Sequence, residues 1–165
     1  MKKQVVVIHG GSAFDSYEDY FSYLKNYKLD FEKLKRKGWK ENLTRDLGVD
    51  FEVITPKMPN SLNAKYIEWK IWFEKLIPFL EKEAVLVGHS LGGTFLAKYL
   101  SENKFPKKIP GTFLVAAPFN EDKTGRRTNY SLADFRLSKS LNLFEKQIFK
   151  LLIAIHMDRL KRPFK

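Results

Sequence analysis

The sequence predicts an α/β protein three layers deep, with helices on both faces of a mostly parallel sheet. Three observations carry this prediction. Short apolar runs without in–out alternation recur along the chain, as strands covered on both faces require. Longer amphipathic stretches separate them, so strand alternates with helix and right-handed crossovers set the strands parallel. A G-x-S-x-G segment, residues 88–92, lies where the third apolar run gives way to a helical pattern.

Taken in order, residues 5–9 read as the first strand. Helical patterns follow over 17–25 and 31–47, the latter interrupted near Gly38. Residues 51–55 form the second strand, which Pro56 ends because it has no N–H to give a neighbour. A helix over 64–80 places Ile67, Ile71, Leu76 and Phe79 on an apolar face that Trp69, Trp72 and Phe73 widen. The third strand is 84–88, and a helix over 91–100 follows it. The fourth strand, 112–117, stops at Pro118. In the helix expected over 132–150, Leu137, Leu141, Phe144 and Ile148 recur at helical spacing. Residues 151–155 read as a fifth strand.

A chain of 165 residues with no repeat or linker suits one domain spanning 1–165. An apolar share of 44% and an aromatic share of 15% suffice for a core. The chain has no cysteine, which leaves neither disulfides nor thiolate metal sites and suits a reducing compartment, so a cytoplasmic setting is expected. Lys2 and Lys3 precede the apolar run of Val5 to Ile8, but four residues are too few for a signal peptide. No run approaches the roughly 18 apolar residues of a membrane span, and no membrane association is expected. The net charge of +11 is spread along the chain. Its densest cluster, Lys33, Lys35, Arg36, Lys37 and Lys40, is mixed with Glu32 and Glu41. With no nucleic-acid motif beside it, the charge reads as a solvated surface and not as a nucleic-acid site. Nothing in the sequence identifies a protein partner.

Chemistry in such a sheet belongs at the C-terminal strand ends. There the G-x-S-x-G context is that of a sharp strand-to-helix turn that lifts a serine hydroxyl above the sheet edge. Ser90 is the candidate nucleophile, and Gly88 and Gly92 are the elbow positions where a side chain would strike the neighbouring strand and helix. The turn presents the Leu91 N–H, at the start of a helix, to a developing oxyanion. A second donor is expected from the His9-Gly10-Gly11-Ser12 turn after the first strand. The Gly11 N–H is the candidate, with Gly10 shaping the turn and His9 anchoring the loop. His89 adjoins the serine but points elsewhere on an elbow, so it reads as a packing residue. Phe14, Tyr17 and Tyr20 are candidates either for a pocket behind the first loop or for helix core, and residues 120–130 for a loop over the site.

These segments resemble the small α/β-hydrolases of the retinoblastoma-binding-protein type. Val7-Ile8-His9-Gly10, Pro56-Lys57-Met58-Pro59-Asn60, Trp69 with Trp72, and Leu86 to Gly93 carry the resemblance, joined by Phe113 to Pro118. It extends from residue 4 to about residue 118. It implies an α/β-hydrolase-like fold and a Ser-Asp-His triad that cleaves a carboxylic ester or related acyl bond of a small molecule, with no metal or organic cofactor.

Beyond residue 118 the likeness weakens. Asp158 falls at or beside the place of the family's acid, and His156 is the one histidine C-terminal to Ser90. His156 precedes Asp158, which inverts the family's order of acid before base, and no Gly-His segment follows. Asp158 is thus the candidate acid and His156 the candidate base of an incomplete triad. A domain lacking its last strand and helix, truncated at the C-terminus, is the expectation. The expected function is a serine hydrolase of impaired turnover. The alternative is a hydrolase-fold protein without catalysis that acts as a binding or interaction module.

Overall fold

Four parallel strands, in the order β2-β1-β3-β4, form the centre of the computed structural model, which describes residues 2–35, 38–118 and 132–137. They are Lys3–Ile8 (β1), Phe51–Ile54 (β2), Val85–His89 (β3) and Thr112–Val115 (β4). Val5 stands opposite Val53 on one side and Val85 on the other, and His89 stands opposite Val115. The helices are Tyr17–Asn26 (α1), Phe31–Lys35 (α2), Trp39–Leu47 (α3), Tyr66–Leu76 (α4) and Leu91–Glu102 (α5). The predicted α/β class and parallel sheet are present. The expected strand over 151–155 and the helix over 138–150 lie outside the described residues.

The strands form where the sequence has runs of apolar residues, because both faces are covered. Val6, Ile8, Leu86 and Leu114 face α4 and α5, whereas Val5, Val7 and Val87 face Leu43 and Leu47 of α3. This division follows from one crossover hand. The step from β1 to β2 runs one way along the sheet, and the steps to β3 and β4 run the other. A constant hand then puts α3 on one face and α4 with α5 on the opposite one. The direction reverses between β1 and β3, and ligands gather at such a switch point.

The larger core is aromatic. Trp69, Phe73, Phe95 and Phe135 are fully buried. Trp69 meets Phe95 edge-on at 5.7 Å, Phe73 meets Phe95 at 5.5 Å, and Trp69 meets Phe135 at 5.3 Å between ring centroids. Edge-to-face pairs of this kind add about 0.5–1.5 kcal/mol beyond the area they bury.

Three expectations need correction. The buried face of α4 is Tyr66, Trp69 and Phe73, continued by Ile77, while Ile67, Ile71, Trp72 and Phe79 are exposed. Apolar residues surround this helix, so periodicity leaves its orientation open, and the side chains with the largest area to bury take the inside. Tyr66 and Trp69 also find partners for their polar ends, the Glu102 carboxylate at 2.8 Å and the Pro59 carbonyl at 2.8 Å. The second correction concerns residues 132–137, which open no α-helix. They make a short 3-10 turn, Ala133–Phe135, and Arg136 is extended. Tertiary contacts hold the turn: the Asp134 carboxylate accepts the Tyr66 N–H at 2.8 Å, and Lys98 Nζ donates to the carbonyls of Asp134 and Arg136. Asp134 thereby caps α4, whose own N-cap residue, Lys65, has no side-chain oxygen to offer. Third, β4 ends at Val115 and not at 117, because Ala116 turns to a positive φ of 49°.

Candidate active site

Ser90 sits between the last residue of β3 and the first of α5, with φ 52° and ψ −125°. A non-glycine residue there is strained, costing on the order of 1–3 kcal/mol, and holds only where its surroundings fix it. They do so by backbone bonds. The Ser90 N–H donates to the Val115 carbonyl at 2.9 Å, and the Ser90 carbonyl accepts the N–H of Gly93 at 2.8 Å and of Thr94 at 3.3 Å. Thr94 Oγ1 donates to the Pro118 carbonyl at 2.6 Å, tying α5 to the chain leaving β4. The elbow therefore depends on β4 as much as on its own motif.

The two glycines flanking Ser90 leave no room for a side chain. A Cβ on Gly88 would lie 2.6 Å from the Gly92 carbonyl oxygen, and one on Gly92 would lie 2.5 Å from that of His9. Real Cβ atoms do not approach so closely, so α5 can pack against β1 and β3 only without side chains here.

The turn after β1 lies directly beside the serine. A Cβ on Gly10 would be 3.0 Å from Ser90 Cβ, so this backbone and the candidate nucleophile are immediate neighbours. Gly11 packs against the chain of Ser61: a Cβ on it would be 2.6 Å from the Ser61 carbonyl oxygen. Three bonds clamp the turn to the segment after β2. The Ser12 N–H donates to the Ser61 carbonyl at 2.8 Å, the Ala64 N–H to the Ser12 carbonyl at 2.8 Å, and the Met58 N–H to His9 Nε2 at 2.9 Å. His9 Nδ1 lies 2.6 Å from the Gly10 carbonyl oxygen, and its ring meets Trp69 edge-on at 5.7 Å. His9 is thus engaged on both nitrogens, as the anchoring expectation requires.

The His89 ring lies between the first loop and α3, where a Cβ on Gly10 would be 3.4 Å from its Nδ1. It packs edge-on against Trp39 at 5.8 Å, toward the α3 layer. Its Nδ1 is buried without a hydrogen-bond partner among the described residues. Burial, reinforced by the charge of Lys40, holds its pKa below the usual histidine range and keeps the ring neutral. Neither His9 nor His89 makes a hydrogen bond to Ser90 among the described residues. The candidate base His156, the candidate acid Asp158 and the loop over 120–130 lie outside the described residues.

Of the aromatic candidates behind the first loop, Phe14 is buried and Tyr17 is exposed. Tyr20 lines an open cleft of about 490 Å³ with Ser61, Leu62, Asn63, Lys65 and Glu68. The backbone partners of the site, Val115, Met58 and Ser61, escape sequence reasoning because an N–H or C=O has no side-chain signature. The one legible hint is the Pro56-to-Pro59 segment, which fixes φ on both sides of Met58. No group of three or more His, Asp or Glu side chains that could hold a metal occurs among the described residues. No helix among them is long and apolar enough to cross a membrane.

No curated protein matches the chain. Among solved structures, the ydeN gene product from B. subtilis is 25% identical, with a TM-score of 0.45 over 70% of this chain and 52% of that one. A thioesterase domain from the curacin biosynthetic pathway is 19% identical, with a TM-score of 0.43 over 74% and 41%. An extracellular α/β-hydrolase from a Paenibacillus species is 21% identical, with a TM-score of 0.42 over 72% and 42%. The chain spans about half the length of the solved structures it matches. The family model described as serine hydrolase matches residues 31–162, which include the Ser90 elbow, and the chain belongs to that family.

Proposed function

We propose that this chain cleaves a carboxylic ester or related acyl bond of a small molecule through an acyl-enzyme on Ser90. The observation that carries the reading is the left-handed backbone of Ser90, held at the switch point of the sheet beside the Gly10–Gly11 turn. In the step proposed, Ser90 Oγ attacks the carbonyl carbon while its proton passes to a base. The oxyanion accepts the N–H groups of Leu91 and Gly11. Collapse breaks the bond to the leaving group, which takes up the proton, and water then hydrolyses the ester on Ser90. No cofactor enters these steps.

Turnover by residues 1–165 is slow in this reading. A positioned base is worth about 10²- to 10⁴-fold. Of the three histidines, His9 is engaged on both nitrogens and His89 packs on Trp39, and neither hydrogen-bonds Ser90 among the described residues. The third, His156, precedes the acid Asp158 in the chain, against the order that the resemblance implies. The likeness to the retinoblastoma-binding-protein type is part of the same proposal. It is supported by Met58-Pro59 and Trp69, which meet around the first loop. The cysteine-free composition supports a cytoplasmic setting.

The test compares wild type, Ser90→Ala and His156→Ala on a nitrophenyl ester. Slow turnover that Ser90→Ala abolishes and His156→Ala leaves nearly unchanged supports the full reading. Brisk turnover that both variants abolish makes His156 the base and contradicts the impairment. Turnover independent of Ser90, or none in any variant, favours the non-catalytic alternative.

A further inference from the structure

We propose that His9 is a positioning residue for the oxyanion hole, whose imidazole locks the Gly10–Gly11 peptide against flipping. The inference rests on the reading of Ser90 as the nucleophile and Gly11 as an oxyanion donor.

The Gly10 carbonyl and the Gly11 N–H belong to one trans peptide and point in opposite directions. Fixing one fixes the other. This peptide joins two glycines, so no Cβ of its own residues opposes its rotation. A flip would exchange N–H and C=O, and present a carbonyl dipole where an oxyanion needs a donor. The clamps on the loop do not prevent that. The bonds between Ser12 and Ser61 and between Ala64 and Ser12 begin one residue further on. Ser90, His89, Ser61 and Trp69 pack around these glycines, but among the described residues the His9 ring is the group that hydrogen-bonds the peptide, with Nδ1 at 2.6 Å from the Gly10 oxygen.

That contact holds only if Nδ1 carries the hydrogen, and the opposite nitrogen ensures it. His9 Nε2 receives the Met58 N–H at 2.9 Å, so it presents its lone pair, and the neutral ring's hydrogen is at Nδ1. A flipped peptide would set the Gly11 N–H against the Nδ1–H, donor against donor. The ring is itself held. Trp69 packs on its edge, and Trp69 Nε1 donates to the Pro59 carbonyl at 2.8 Å, next to Met58. A chain of contacts therefore runs from the core aromatic Trp69 through Pro59, Met58 and His9 to the Gly11 donor. The oxyanion loop is built before substrate arrives.

Two measurements test this. In long-range proton–nitrogen spectra of the wild-type chain, with the His9 signals assigned by their loss in His9→Phe, the ring is expected in the Nδ1–H form. An Nε2–H ring overturns the proposal without reference to catalysis. The second measurement is the single-turnover burst of nitrophenol from a nitrophenyl ester, read with the melting temperature. His9→Asn retains a donor near the Nδ1 position, and His9→Phe retains a ring beside Trp69 without one. The expected loss of acylation rate is about 10²- to 10³-fold for His9→Phe, the cost of an oxyanion donor, with His9→Asn well above it. Equal loss in both variants, tracking their melting temperatures, marks a structural histidine and overturns the proposal, as does a wild-type burst rate in His9→Phe. A wild type with no Ser90-dependent burst overturns the hydrolase reading and the oxyanion role with it. The ring spectrum separates that outcome, because it reports the peptide lock whether or not Ser90 reacts.

Discussion

Helices α5 and α1 are similar in length, 12 and 10 residues, yet their surroundings could hardly differ more. In α5 all residues except Lys98 and Glu102 are buried, because the helix lies against β3 and β4 on one side and α4 on another. Lys98 itself reaches the carbonyls of Asp134 and Arg136. In α1 no residue is buried, and Tyr17, Phe21 and Leu24 are exposed although they follow helical spacing. What holds α1 is local. Ser16 caps it: its Oγ accepts the Asp19 N–H at 3.0 Å and donates to the Asp19 carboxylate at 2.7 Å, and Phe14 packs against Tyr20 and Tyr23. The contrast shows that apolar periodicity alone does not bury a helix. Glycines at the contact and a sheet face to meet decide it, and α5, the helix that follows Ser90, has both.

The sharpest way to break this comparison is to remove the close approach. Gly92→Val is expected to cost at least about 3 kcal/mol, since overpacking here strikes a backbone carbonyl that cannot move aside. Loss of a cooperative melt, or a large fall in urea midpoint, checks it. A near-normal midpoint would mean that α5 can shift from β1, against the account.

The next contrast is in side chains. Phe95→Ala is expected to destabilise the chain by about 3–5 kcal/mol, because Phe95 is fully buried among five other rings. Phe21→Ala on α1 should stay within about 0.5 kcal/mol. Equal effects in urea titrations would show that α1 is as well packed as α5.

Ser16→Ala should cost about 1 kcal/mol of helix stability. It should speed amide exchange along α1 while leaving the protection of α5 unchanged, since weakly packed elements open on their own. Faster exchange in both helices would make them one cooperative unit.

The smallest effect concerns pH. Burial lowers the His89 pKa in the folded chain below its ordinary value of 6.5. The unfolded chain then binds the proton first on acidification. The stability His89 contributes is thus present above about pH 6.5 and is lost as pH falls toward the lowered value. His89→Gln should flatten the stability profile in that window. A steeper profile in the variant would reverse the assigned sign.

Much of the frame was legible. The described strands fall within two residues of the apolar runs, because burial on both faces leaves a composition that needs no partner to be read. The elbow was legible because its chemistry demands glycines at fixed offsets from Ser90. The orientation of α4 was not, since a helix apolar all round does not say which residues face inward. The start at residue 132 was misread because Asp134, a plain acidic residue in sequence, is spent on capping a helix 68 residues away. Around the site, the Val115 carbonyl under Ser90 and the Met58 N–H on His9 are backbone groups, and only the fold brings them together.

The central claim is that the strained Ser90 is a nucleophile with an oxyanion site beside it. Its most direct measurement is covalent capture. The intact chain is incubated with a fluorophosphonate, and the adduct is located by mass spectrometry of its peptides. The account predicts one slow, saturating adduct on Ser90, absent in Ser90→Ala and in heat-unfolded chain, and unchanged in Ser61→Ala. An adduct spread over several serines, or none at Ser90 in folded protein, would contradict it.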